Sequence, residues 1–102
     1  MKIGFILRGS PWPGRLTVGQ FMYFVYILRS LTDKRYYVGM TKDVEKRLLY
    51  HNRGAVRSTK NRRPFEIVYT EQFENRAEAW ERETYLKSYR GSREKLTILG
   101  TI

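Results

Sequence analysis

The unbroken apolar run Tyr23-Phe24-Val25-Tyr26-Ile27-Leu28 constrains this chain more than any other feature. It is far shorter than the ~20 residues that a membrane span requires. Its β-branched and aromatic content reads as a strand, and the lack of any polar position reads as a strand covered on both faces. At 102 residues the chain has room for one domain with one compact core. Apolar residues at 41% and aromatics at 15% are too abundant for a disordered chain, even with 29% charged residues.

The segments that follow supply partners for that strand. Leu31-Thr32-Asp33-Lys34 has the composition of a hairpin turn, and Arg35 to Met40 read as a second strand. Gly39 interrupts that strand, which marks a bulge or a place where another group approaches the backbone closely. Asp43 is placed to cap a helix running to about Asn52, with Gly54 just past its end. Pro64 precedes a third strand, Phe65 to Thr70. A long helix is expected from about Asn75 to Tyr89, and a weak last segment from Ser92 to Leu99. The order is ββαβα without an internal repeat, and a small α/β or α+β sheet with helices packed on it closes such a set. Ahead of it, Met1 to Gln20 lacks the apolar stretch of a secretory signal and is broken at Arg8, Pro11, Pro13 and Gly14. Residues 1–21 are therefore expected to be a disordered leader, with Met22 an equally good start, and residues 22–99 to be the domain.

Charge points to the partner. Lys and Arg number 20 against 10 Asp and Glu, a formal +10. On so small a domain this balance suits a polyanion, nucleic acid or an anionic membrane surface, and says nothing about catalysis. Cysteine is absent, which excludes disulfides, thiol nucleophiles and thiolate zinc sites, and fits the cytoplasm.

Several residues do not suit a plain core. On the long helix, Ala79, Trp80 and Leu86 are expected to mark the buried side, with Glu83 between them. A carboxylate in an apolar stripe needs a partner, either a structural Arg or Lys or a bound cation, and spacing does not choose between these. On the first helix, Val44 and Leu48 define the inner face, and Arg47 and His51 share that side. Either the two line a polar cavity, or Arg47 reaches the rim and His51 is a hydrogen-bonded packing residue. Arg53, Arg57, Lys60, Arg62 and Arg63 fall in a stretch without an acid, where Ser58, Thr59 and Asn61 add donors. A solvated loop is the plain reading; with the overall charge, a loop that follows phosphates is the preferred one.

In this order the pieces resemble the GIY-YIG endonuclease superfamily, and its small stand-alone bacterial members most closely. The two signatures are Phe24-Val25-Tyr26 and Tyr37-Val38-Gly39, the helix arginine is Arg47, and the metal-binding glutamate is Glu83 within Glu81-Arg82-Glu83-Thr84-Tyr85-Leu86-Lys87. Ser58 to Pro64 resembles a loop of the small members, and the likeness extends over about Met22 to Leu99. It implies a three-stranded antiparallel sheet flanked by helices, and hydrolysis of a phosphodiester with one divalent metal, Mg²⁺ or Mn²⁺, on Glu83. By the same resemblance Tyr37 is the general base, Tyr26 orients water or phosphate, Arg47 holds a non-bridging oxygen and His51 is a helper or alternative proton acceptor.

Two departures stand out. Phe24 replaces the first glycine of the signature, and Met40 replaces a lysine three residues after the second signature tyrosine, leaving Lys42 as a substitute. The expectation is a metal-dependent endonuclease acting on DNA rather than RNA, structure-selective or weakly specific, directed by a protein partner and of low activity. The competing expectation is a non-catalytic nucleic-acid-binding module that kept the fold.

Overall fold

The computed structural model describes residues 22–100 and the backbone of Gly4 and Phe5. Its elements are β1 (Gly4–Phe5), β2 (Tyr23–Ser30), β3 (Tyr36–Thr41), α1 (Val44–Arg53), a 3₁₀ turn (Lys60–Arg62), β4 (Phe65–Phe73), α2 (Arg76–Lys87) and α3 (Tyr89–Gly100). The architecture is α+β. The expected three strands pair antiparallel in the order β4-β2-β3. A short fourth strand extends the sheet, with Gly4 opposite Glu71 and Phe5 opposite Thr70 on β4. Apart from these two residues, the expected leader lies outside the described part of the chain.

Strand β2 is central, which explains its unbroken apolar run. Val25 and Ile27 pack with Val38, Phe73, Ala79 and Leu86 on the side of α2, where Ile98 and Leu99 of α3 join them. Phe24, Tyr26 and Leu28 pack on the opposite face with Val44 of α1 and with Phe65. Residues 24 to 28 are each at most 5% exposed. Each such side chain contributes about 1.5–3 kcal/mol by leaving water, so a polar substitution anywhere in the run would disrupt one of two layers. Opposite this strand, β4 carries one extra residue, Val68, between the partners of Ile27 and Leu28.

Local chemistry fixes the element ends. The Asp43 carboxylate accepts from the Lys46 amide at 3.0 Å and caps α1. Gly54 ends that helix in the left-handed region at φ 84°, a conformation that glycine adopts without steric cost. Asn75 caps α2 through the Glu78 amide at 2.8 Å.

The carboxy-terminal helices differ from the expectation of one long helix followed by a weak segment. Ser88 is extended and breaks the chain into α2 and a full α3. Its amide and hydroxyl donate to the Tyr85 carbonyl, and its hydroxyl accepts from the Gly91 amide, so one serine ends α2 and starts α3. Gly91 packs directly on the Tyr85 carbonyl, where a Cβ would overlap it. Trp80 corrects the expected buried side as well. It is 54% exposed, while Ala79 and Leu86 are fully buried. At ~100° per residue, Trp80 is carried past Glu83 and out of the apolar stripe.

Candidate active site

The site begins at the β2–β3 ladder, where Tyr26 stands directly opposite Gly39. The Tyr26 ring folds across the glycine, and a Cβ there would overlap its hydroxyl and ring carbons. The strand glycine is therefore explained by close approach, not by a bulge. Two residues earlier on β3, Tyr37 packs on the same face and remains partly exposed, with its ring centroid 6.4 Å from that of Tyr26.

Helix α1 supplies the polar groups. Arg47 Nε donates to the Tyr26 hydroxyl at 3.4 Å, and the same hydroxyl is 3.1 Å from His51 Nε2. The other imidazole nitrogen, Nδ1, is 2.8 Å from Thr59 Oγ1, which donates in turn to the Val56 carbonyl at 3.3 Å. Tyr26, His51 and Thr59 are each at most 1% exposed. The His51 ring also meets Tyr37 edge-on, centroids 4.9 Å apart. Arg47 and His51 thus meet at the Tyr26 hydroxyl, and His51 is a hydrogen-bonded packing residue.

Electrostatics fixes two protonation states. Burial pushes the Tyr26 phenol up to about 12; Arg47 opposes this, and charge on Tyr37 and Glu83 adds to it. Burial first, and then the Arg47 charge, pull the His51 imidazole down to about 4. At neutral pH the pair is a phenol beside a neutral imidazole. The Arg47 guanidinium is held charged, chiefly by its bond to Tyr26.

Glu83 stands on α2, its side chain 16% exposed, and its Oε2 is 2.8 Å from Lys87 Nζ. Lys87 lies 5.9 Å from the centroid of the Tyr37 ring. Among the described residues no three His, Cys, Asp or Glu side chains cluster as a metal-holding group. A single carboxylate with limited exposure nevertheless fits Mg²⁺, which keeps several waters and completes its shell with substrate phosphate. Lys87 must leave Oε2 for such an ion to bind there.

The basic loop is more ordered, and less uniform, than its charge suggested. Arg62 Nε pairs with Asp33 at 2.8 Å; the Arg35 amide first, and then this pair, hold that carboxylate below its ordinary range. Ser30 Oγ donates to the Arg62 carbonyl and Leu31 N to the Pro64 carbonyl, which fastens the loop to the β2–β3 hairpin. Asn52 bonds both amide and carbonyl of Phe65. Arg53 lies over the Tyr50 ring, and Arg63 Nε donates to the Lys60 carbonyl. Arg57, Lys60 and Arg63 are exposed, and so is Lys42, whose Nζ lies 5.3 Å from the centroid of the Tyr23 ring. Thr59, read from sequence as one more surface donor, is fully buried against His51. Sequence reasoning also passed over Lys87; its i,i+4 spacing from Glu83 was the signal that could have found it.

The sheet and α1 thus bring two tyrosines, an arginine and a histidine together on one face of a small α+β domain. The chain belongs to the GIY-YIG family: the model of the GIY-YIG catalytic domain matches residues 22–96. This is a nuclease family whose members generally use divalent metals. A UPF0213 protein of Staphylococcus saprophyticus is 40% identical over 74 residues, which cover 72% of this chain and 87% of that protein. A UPF0213 protein of Staphylococcus aureus is 44% identical over 68 residues, 66% of this chain and 82% of that one. The solution NMR structure of a Bacillus halodurans UPF0213 protein is 32% identical with a TM-score of 0.47, covering 76% of this chain and 84% of that one. No helix among the described residues is long and apolar enough to cross a membrane.

Proposed function

We propose that this protein is a divalent-metal-dependent endonuclease that hydrolyses phosphodiester bonds in DNA, selecting structure more than sequence. The observation that carries this reading is the cluster of Arg47, Tyr26, His51 and Tyr37, with Glu83 near enough for its charge to act on Tyr26. The +10 charge supports a nucleic-acid substrate, with Arg53, Arg57, Lys60 and Arg63 available to its backbone. The absence of cysteine supports a cytoplasmic setting.

Each residue has a role in this reading. Arg47, anchored through Nε on Tyr26, presents its remaining donors to a non-bridging phosphate oxygen. Tyr26, kept protonated by burial, orients that guanidinium and the phosphate. Tyr37, the more open tyrosine, takes the proton from the attacking water when it reacts as the phenolate, whose charge Arg47 and Lys87 offset from beside it. His51 is the neutral acceptor for the Tyr26 proton. Glu83 would hold Mg²⁺ or Mn²⁺, which when bound supplies Lewis-acid stabilisation of the leaving 3′ oxygen and of the transition-state charge. Specificity beyond structure would come from a protein partner.

Wild-type protein with Mg²⁺ or Mn²⁺ should cleave at least one member of a panel of single-stranded, duplex and branched DNA. Glu83→Ala should be folded and inactive, with a loss on the order of 10²-fold or more, as expected for a removed catalytic ligand. Equal trace cleavage by both would refute the reading. One observation favours the alternative, a binding module without catalysis: Lys87 already neutralises Glu83. That module would bind nucleic acid with or without metal and leave every substrate intact.

A further inference from the structure

The chain of bonds that reaches Tyr26 does not end at His51. It runs into the loop at Thr59, a residue buried at the start of the 3₁₀ turn whose neighbours carry the basic side chains. The direction of each proton along it follows from donor and acceptor capacity. Thr59 has one hydroxyl proton; when it goes to the Val56 carbonyl, 3.3 Å away, the shorter contact to His51 has to be filled from the imidazole side. Its oxygen is then an acceptor, so His51 Nδ1 carries the proton in the 2.8 Å contact. His51 Nε2 is left as an acceptor, and the Tyr26 hydroxyl donates to it. The Tyr26 oxygen accepts from Arg47 Nε. Every proton in the series Arg47, Tyr26, His51, Thr59 then has an acceptor, and the series ends on the Val56 carbonyl, which also accepts from the Thr59 amide.

The opposite tautomer fails this accounting. With the proton on Nε2, both Arg47 and His51 would donate to the Tyr26 oxygen, and the buried phenol proton would have no partner in the series. The lowered proton affinity of the imidazole is consistent, because a doubly protonated ring would face the same loss beside the Arg47 charge.

We propose that Thr59 is a positioning residue that fixes His51 as the Nδ1–H tautomer, so that Nε2 remains the proton acceptor for Tyr26 and the basic loop is mechanically tied to the phosphate pocket. This deepens the nuclease reading, on which the meaning of the tie rests, but the tautomer itself is independent of activity. The turn holding Thr59 is fastened at its far end, where Ser30 and Asp33 on the hairpin hold Arg62 and Asn52 on α1 holds Phe65. A shift of the loop on nucleic-acid binding is therefore transmitted through Thr59 to the imidazole.

His51 is the single histidine of the chain, so its ring nitrogens are identified in a ¹⁵N spectrum without assignment. In metal-free wild-type protein at pH 7 the expected pattern is a pyrrole-type Nδ1 and a pyridine-type Nε2. Thr59→Ser should keep that pattern. Thr59→Val should move the ring to the Nε2–H form or to a mixture, and cleavage should lose kcat at least tenfold with KM nearly unchanged. A wild-type ring found as Nε2–H would overturn the proposal whether or not Thr59→Val folds, and so would an unchanged tautomer in folded Thr59→Val. Correct tautomers in a protein that cleaves nothing would support the role of Thr59 while refuting the nuclease reading.

Discussion

A methyl group on Gly39 would run into the Tyr26 hydroxyl, the atom that also receives Arg47 and contacts His51. Gly39→Ala should therefore shift the Tyr26 ring and cost about 1–3 kcal/mol, as overpacking does. Urea denaturation reads that cost, and loss of cleavage should exceed what the fraction unfolded explains; a variant as stable and active as wild type would contradict the packing described. His51 sets a second expectation. The unfolded chain takes up its imidazole proton near 6.5, the folded one near 4, so the unfolded state binds more protons in between. Stability should be full above the higher value and fall as pH drops towards the lower one, by up to about 3 kcal/mol. The urea midpoint of wild type should decline over that window and that of His51→Gln should decline less; parallel profiles would rule out a neutral buried His51. At this scale the site was only partly legible beforehand. The odd placement of Arg47 and His51 was visible from helical spacing, but the bonds to Tyr26 and Thr59 depend on the sheet and loop brought against α1, which local periodicity does not report.

Helix α2 meets α3 and β4 through a buried ion network. Arg82 pairs bidentately with Glu71 at 2.7 and 2.8 Å and also reaches Glu94 on α3, while Tyr69 donates to Glu71. The Glu71 side chain is 3% exposed, so its charge relies on these partners. The Glu71 hydrogen bonds hold the Arg82 guanidinium firmly charged, and burial together with the neighbouring carboxylate holds the Tyr69 phenol protonated. Arg82→Ala should destabilise by about 3–5 kcal/mol, because it strands a buried carboxylate. The Glu71→Leu, Arg82→Leu pair should be less harmful than either single change, and a double-mutant cycle in guanidinium measures the coupling. Additive effects would show that the network is not a unit. The network also explains what was legible among the elements. Strand β2, the hairpin, α1 and their caps follow local rules of period, turn and capping. The break at Ser88 and the burial of Glu71 do not, since both answer to tertiary packing of α3 that no short window contains.

For the whole molecule, charge and fold act together. The exposed Arg57, Lys60 and Arg63 should contribute counterion release, whereas Arg62 is tied to Asp33 and fastens the loop. Neutralising the exposed three should reduce the slope of log affinity against log salt by about 0.9 for each duplex phosphate that they no longer neutralise. Arg62→Gln should instead lower stability, by roughly 1 kcal/mol or less for a partly exposed pair. A titration across salt concentrations separates the two, and an unchanged slope would remove the loop from the interface. The family and its α+β architecture were legible because spaced motifs and a central apolar strand span most of the chain. The state of Glu83 was only half legible: the i,i+4 spacing offers Lys87 as its partner, but spacing does not choose between that lysine and a bound cation. The most direct test follows from that carboxylate. Mn²⁺ added to isotope-labelled protein with a non-cleavable oligonucleotide should broaden NMR signals of Glu83, Tyr37 and Lys87, and Glu83→Gln should abolish the effect. Broadening centred elsewhere, or unchanged in Glu83→Gln, would contradict a metal-dependent site built on Glu83.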